Sequence, residues 1–306
     1  MNNRSHGKSR FISYFIAAGS VAVLLMASSA SGQNLFVNCW GSGTTCEITP
    51  AGVQSTFFST WNESPQCLAF NSAGILFAGV TGTEGIFEFA PGGVRSTFAP
   101  GLVDTQGLAF NGAGDLFVSD DLAAGVSGGN DITEVTPTGA QTIFASGLNN
   151  PCGLAFDSAG NLYEADSGSG NVYEYATNGL RSTFVSGLNH PFGLAFNGSG
   201  DLFVTEGNNT IDEITPGGVQ SVFASGLSSP QELAFDSAGN LYESDFGSGN
   251  IYEFTPAGVQ STFASGLANP TGLAFEGIAL PVPEPSALAL AALGAAAFLA
   301  SYRRRN

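Results

Sequence analysis

Residues 153–191 read GLAFDSAGNLYEADSGSGNVYEYATNGLRSTFVSGLNHP, four short apolar or aromatic runs separated by clusters of Ser, Gly, Asn and Asp. The Leu-Ala-Phe core of this stretch recurs at Leu68, Leu108, Leu154, Leu194, Leu233 and Leu273. Successive leucines are 40, 46, 40, 39 and 40 residues apart. A fixed period of about forty residues, with four strands in each, is the pattern of a β-propeller blade.

Working outward, the chain completes its own ring. Residues 34–37 match the second strand of the unit, 47–50 the third and 53–57 the fourth, with no first strand before them. Residues 272–275 supply a first strand with nothing after it. Joining the two ends gives an all-β, six-bladed β-propeller with four-stranded blades, spanning 33–277, whose last blade is shared between the ends. Such closure leaves no open sheet edge at the seam. The 46-residue step has its cause in Asp121 to Gly129, which lengthen one loop after a second strand. Blades also alternate: 111–118 resemble 197–204, and 157–164 resemble 236–243, which indicates duplication of a two-blade unit.

The flanks are of another kind. Arg4, Lys8 and Arg10 precede an apolar run from Phe11 to Met26 and small residues through Ala30, so 1–32 read as a secretory signal peptide, with a retained anchor as the alternative. After Leu280 come Pro283-Glu284-Pro285, the 14 residues from Ala287 to Ala300 without a charge, and Arg303-Arg304-Arg305. That run is short for a spanning helix, which needs about 20 residues. In order and spacing, 278–306 resemble the PEP-CTERM sorting signal. The resemblance implies recognition by an exosortase-type sorting protease, transient membrane attachment through the tail, and an exported protein of the cell envelope or exterior. It also implies an exopolysaccharide or biofilm setting.

Composition narrows the partners. The formal charge is −17, and outside the flanks the only cationic side chains are Arg95 and Arg181. Without a basic footprint no nucleic-acid partner is expected. The unit resembles the NHL repeat over 34–276, carrying Gly-Leu-Ala followed by Asp-x-x-Gly-Asn-Leu-Tyr. Relatives of that repeat include scaffolds, ligand-binding modules, lactonase-like hydrolases and streptogramin-lyase-like enzymes, so the fold does not select an activity.

Candidate sites lie where the repeat varies. The loops from each fourth strand to the next first strand rim the channel and carry Gln66, Gln106, Cys152, His190, Phe192, Gln231, Glu232, Asn269 and Thr271. Gln66, Gln106, His190, Phe192, Gln231, Glu232 and Thr271 are the ligand-binding candidates. His190, the one histidine after the leader, and Glu232, which stands where other blades have Gly, form the acid–base pair of an alternative enzymatic reading at the channel mouth. No nucleophile elbow, His-rich metal motif or phosphate loop is present, so a binding or structural module acting on polysaccharide or a surface protein is the leading expectation. Asp120, Asp166 and Asp245 end second strands and are candidates for calcium, although ordering of the turn is the preferred role and no cofactor is expected. Glu47, Glu88, Glu134, Glu174, Glu213 and Glu253 share one third-strand position and are expected to pair with polar residues of the fourth strand. Cys39 and Cys46 are expected to form a disulfide across a hairpin of the shared blade, whereas Cys67 and Cys152 lie two blades apart and are not expected to bond.

Overall fold

Each unit folds into an antiparallel four-stranded sheet because a carboxylate or amide organises its first reversal. In the third blade Asp157 Oδ1 accepts hydrogen bonds from the amides of Ala159 at 2.9 Å and Asn161 at 2.8 Å, and Gly160 supplies the positive φ of 85°. Asn71, Asn111, Asn197 and Asp236 repeat this bond pattern in four other blades. The structure, a computed structural model, describes residues 32–59, 64–82, 85–90, 93–120 and 130–277. The leader before Gly32, the 121–129 insertion and the tail from 278 onward, with Pro283, Glu284 and Pro285, lie outside the described residues.

The described residues form six four-stranded sheets and no helix. We number the blades 65–99, 105–145, 151–186, 191–225 and 230–264, with the sixth made of Pro270–Phe275, Leu35–Cys39, Thr44–Ile48 and Gln54–Phe58. In the third blade the strands are Pro151–Phe156, Leu162–Asp166, Asn171–Tyr175 and Arg181–Ser186, innermost first. The expected closure is present: Leu35, Phe36 and Val37 pair with Phe275, Ala274 and Leu273. Amides of Trp40 and Gly41 add bonds of 3.0 Å to the carbonyls of Asn269 and Ala268.

Blades pack face to face, so a second strand is covered on both sides. All six second strands are buried at every position. At each seam the second-strand aromatic meets two phenylalanines edge to face, one from its own fourth strand and one from the next blade's first strand. Tyr163 with Phe184 and Phe196, at 5.1 and 4.8 Å, is one example, and Phe117 with Phe144 and Phe156, at 5.0 and 5.2 Å, is another. A fourth ring joins at alternate seams, where Tyr175, Phe254 and Phe89 reach Phe144, Phe223 and Phe57. The alternation read from the sequence therefore appears as a pseudo-threefold pattern of seam packing.

Cys39 and Cys46 are diagonal neighbours across the sixth-blade hairpin, since Cys39 pairs with Thr44 and Cys46 with Val37. Both thiols are free here, with their sulfurs in contact at 3.9 Å, so the expected bond is not formed in this structure. Cys67 and Cys152 are not bonded to each other either. Mutual contact holds the Cys39 thiol well above the ordinary range and lowers Cys46 to about 6. A thiolate beside a thiol is ready for exchange with an external disulfide. The protein recovered from an oxidising compartment is therefore expected to be two hydrogens lighter under non-reducing mass spectrometry. Dithiothreitol should then lower its unfolding free energy by about 2 kcal/mol at most, as befits so short a loop. An unchanged mass after export would refute the pairing.

Candidate functional site

The face where one blade hands over to the next is built on left-handed turn residues. Asp104, Asn150, His190, Ser229 and Asn269 immediately precede five first strands, with φ of 47, 59, 48, 61 and 54°. His is one of the few residue types enriched in this conformation, so His190 stands where the backbone needs a turn former. Its side chain is exposed beside a cleft of about 220 Å³ lined by Ser167–Gly170, Leu188 and Asn189. No hydrogen bond or ion pair joins it to Glu232.

Glu232 sits on the fifth blade's first strand, half-buried. Its Oε1 accepts from the Leu233 amide at 3.2 Å, and its own amide donates to Ser244 Oγ at 3.0 Å. Burial pushes its carboxyl up to about 7, with the Leu233 N–H acting the other way. Its charge also reaches Cys67, whose thiol rises chiefly through burial.

The other rim residues are uncharged. Gln66 Nε2 donates to Gln106 Oε1 at 3.2 Å across the first seam, so these two amides line one wall. Gln231 turns back onto Ser229 and Pro230. Thr271 is buried, its hydroxyl on the carbonyls of Pro65 at 3.1 Å and Asn38 at 3.4 Å, where it ties the sixth blade to the first. Phe192 is partly buried and packs with the cluster between blades three and four.

The carboxylates that end second strands organise the same face. Asp166 accepts the amide of Asn149 at 2.7 Å on one oxygen and that of Ser169 at 3.0 Å on the other. Asp245 does the same with Ser228 at 2.6 Å and Ser248 at 2.9 Å, and Glu206 takes the Asn189 amide at 2.7 Å. Asp166 and Asp245 thus fasten the loop after their own strand to the handover loop, and Glu206 reaches the handover loop. Asp120 is buried beside the directly paired Asp131. Among the described residues no three His, Cys, Asp or Glu side chains gather as a metal site.

The third-strand glutamates diverge from their expected uniform pairing. Only Glu88 takes a fourth-strand partner, Ser96 at 2.9 Å, while Glu47 takes Asn34 at 2.6 Å. Glu174 and Glu253 lie against the phenols of Tyr163 and Tyr242, which burial and then these acids push up. Glu134 and Glu213 face a phenylalanine across the strand instead.

Sequence reasoning missed two side chains of this region, Glu164 and Glu243. Both are completely buried on second strands, and no well-formed hydrogen bond reaches either carboxylate, the Gln231 N–H only approaching that of Glu243. Burial raises both carboxyls well above the ordinary range, and Asp166 and Asp245 raise them further. The position reads Val37, Val118 and Val204 in three other blades, which is the signal that could have exposed the anomaly.

Comparison with known proteins agrees with the fold and the tail. Residues 281–305 match the PEP-CTERM protein-sorting motif, which marks an exported protein anchored at the envelope and recognised by an exosortase. No curated protein matches the sequence. Among solved structures, one from the nidogen/laminin complex superposes with a TM-score of 0.70 at 21% identity, covering 82% of this chain and 100% of that one. A streptogramin B lyase superposes at 0.62 and 16% identity over 80% and 87% of the two chains. A catalytically inactive histidine-to-alanine form of virginiamycin B lyase from Staphylococcus aureus, with quinupristin, superposes at 0.59 and 15% identity over 81% and 94%. At these identities the likeness shows the fold alone.

Proposed function

We propose that this exported propeller is a binding module of the cell envelope whose handover face takes a neutral polysaccharide. The observation that carries the reading is the chemistry of the rim. Gln66 and Gln106 present paired amides, Phe192 adds an aromatic surface, and the carboxylates of Asp166, Asp245 and Glu206 on that face are engaged by backbone amides. Amides and an aromatic ring suit the hydroxyls and apolar face of a sugar, and a rim whose candidate residues include no Lys or Arg disfavours an acidic polymer. In co-sedimentation with neutral exopolysaccharide, Gln66→Ala with Gln106→Ala is expected to weaken binding about tenfold, the loss of one or two good hydrogen bonds. Retention of full binding by that variant would overturn the reading. Capture of an envelope protein in place of polysaccharide would replace the ligand class.

The lyase reading has one specific observation behind it: His190 borders an open cleft, and Glu232 carries a carboxyl raised to about 7 on the same side of the ring. The likeness to streptogramin lyases supplies a probe. Loss of quinupristin with the intact chain but not with His190→Ala would establish it, and no turnover with either would dismiss it.

A further inference from the structure

The face opposite the handover carries two cavities that match position for position. One, of about 290 Å³ between blades two and three, is walled by Phe117, Phe144, Phe156, Tyr175 and the carboxylate of Glu134. The other, of about 250 Å³ between blades four and five, is walled by Phe203, Phe223, Phe235, Phe254 and Glu213. Asn111 and Asn197 stand at equivalent edges. The ring geometry repeats too: Phe203 meets Phe223 at 4.9 Å and Phe235 at 5.2 Å, as Phe117 meets its two partners at 5.0 and 5.2 Å.

Two substitutions set these seams apart from those that follow blades three and five. There the second-strand aromatic is Tyr163 or Tyr242, and its hydroxyl lies between a third-strand glutamate and a turn aspartate, Glu174 with Asp157 or Glu253 with Asp236. In blades two and four the aromatic is Phe117 or Phe203 and the turn residue is Asn111 or Asn197. The hydroxyl is gone, and the turn's acid has moved four residues on, to Asp115 or Asp201, outside the cavity lining. What remains is an aromatic recess with a single partly buried carboxylate that makes no hydrogen bond. The Asn111 and Asn197 amides are committed to Asp115 and Asp201 at 3.0 and 2.9 Å.

We infer that these paired recesses bind a small organic ammonium ion, with its apolar substituents against the phenylalanines and its charge facing Glu134 or Glu213. No Lys, Arg or His lines either cavity, so an anion has nothing to meet it. A purely apolar ligand would cover the carboxylate without compensating it. An alkylammonium ion satisfies both walls, because aromatic rings and a carboxylate each attract a cation. The chain's net charge of −17 raises the local cation concentration in the same direction.

Choline and its uncharged isostere 3,3-dimethylbutan-1-ol, titrated calorimetrically into the full chain, make the test. Choline is expected to bind with at least two equivalents per chain, and the isostere about tenfold more weakly or not at all. Phe117→Tyr with Phe203→Tyr restores the hydroxyl that Tyr163 and Tyr242 set against the third-strand glutamate, so it should keep the melting temperature while removing choline binding. Glu134→Gln with Glu213→Gln should weaken it about tenfold. Equal binding of choline and the alcohol would overturn the inference. So would undiminished choline binding in the tyrosine variant, or no binding at tens of millimolar.

Discussion

Replacing Glu164 and Glu243 together by valine is expected to raise the melting temperature at about pH 8 on the order of 10 °C, and by much less at about pH 5. Each carboxyl is fully buried within a seam without a well-formed hydrogen bond, Glu164 between blades two and three and Glu243 between blades four and five. An unsatisfied buried acid costs ~1–3 kcal/mol, and in a domain of this size each kcal/mol moves melting by ~2–4 °C. Valine has nearly the volume of glutamate and already stands at this position in Val37, Val118 and Val204, so the exchange should leave no cavity. The pH dependence follows from linkage. Folding raises these two carboxyls, so above the unfolded value near 4.3 the native state holds protons that the unfolded chain has released. Stability then falls as pH rises through that window, by about 1.4 kcal/mol per pH unit for each group, until the folded value is passed. The variant loses that slope. Scanning calorimetry at the two pH values decides it: an equal gain at both, or a loss at pH 8, would show that the two acids are compensated in solution.

Much of the ring was legible because repetition converts one reading into six. Leu-Ala-Phe every forty residues located the first strands, and the split unit at the ends located the seam that Leu35 and Phe275 close. The Asp or Asn of each first turn was read correctly as its organiser, as Asp157 and its two amides show. What the sequence hid was which faces are covered. An alternating strand such as Leu162-Tyr163-Glu164-Ala165-Asp166 suggests one wet side, yet a second strand lies between two neighbouring sheets and is dry on both. The same blindness applies to the third-strand glutamates. Their environment depends on a residue across the strand, Tyr163 for Glu174 but Phe117 for Glu134, so one acid meets a phenol and the other a bare ring. His190 shows a backbone role that the sequence did not reveal: its position is the one that Asn150, Ser229 and Asn269 occupy elsewhere with a left-handed φ.

Gly193→Ala is expected to destabilise the ring by about 3 kcal/mol or more, while Gly198→Ala, five residues on, should be neutral or mildly stabilising. A Cβ at residue 193 would press onto the carbonyl oxygen of Gln231 and come within 2.9 Å of the Glu232 Cα. These are backbone atoms of the next first strand, so no side-chain rotation relieves the overlap. Gly198 has nothing within 4 Å and no positive φ, so it controls for the general effect of adding a methyl group. First strands form a closed circle in which each sits against the next, and displacement at one seam must be taken up at the others. The first blade shows how the chain itself departs from glycine here. Cys67 carries a side chain at the equivalent position, and the strand opposite gives way with Gly79, whose added Cβ would lie 2.5 Å from Cys67 Sγ. Elsewhere that opposite residue is Ser119 or Thr205, with hydroxyls bonded to the carbonyls of Cys152 and Gln231 in the next blade. Bulk at the innermost seam is thus taken by one strand opposite glycine in the first, second and fourth blades, whereas the fifth, with Glu232 against Ser244, carries side chains on both. Gly193 already faces Thr205, whose Oγ1 takes the Gly193 amide at 2.7 Å, so the alanine has no such vacancy to enter. Equal melting temperatures for Gly193→Ala and Gly198→Ala would show that the first strands can part without loss, and that the circle is looser than its backbone contacts imply.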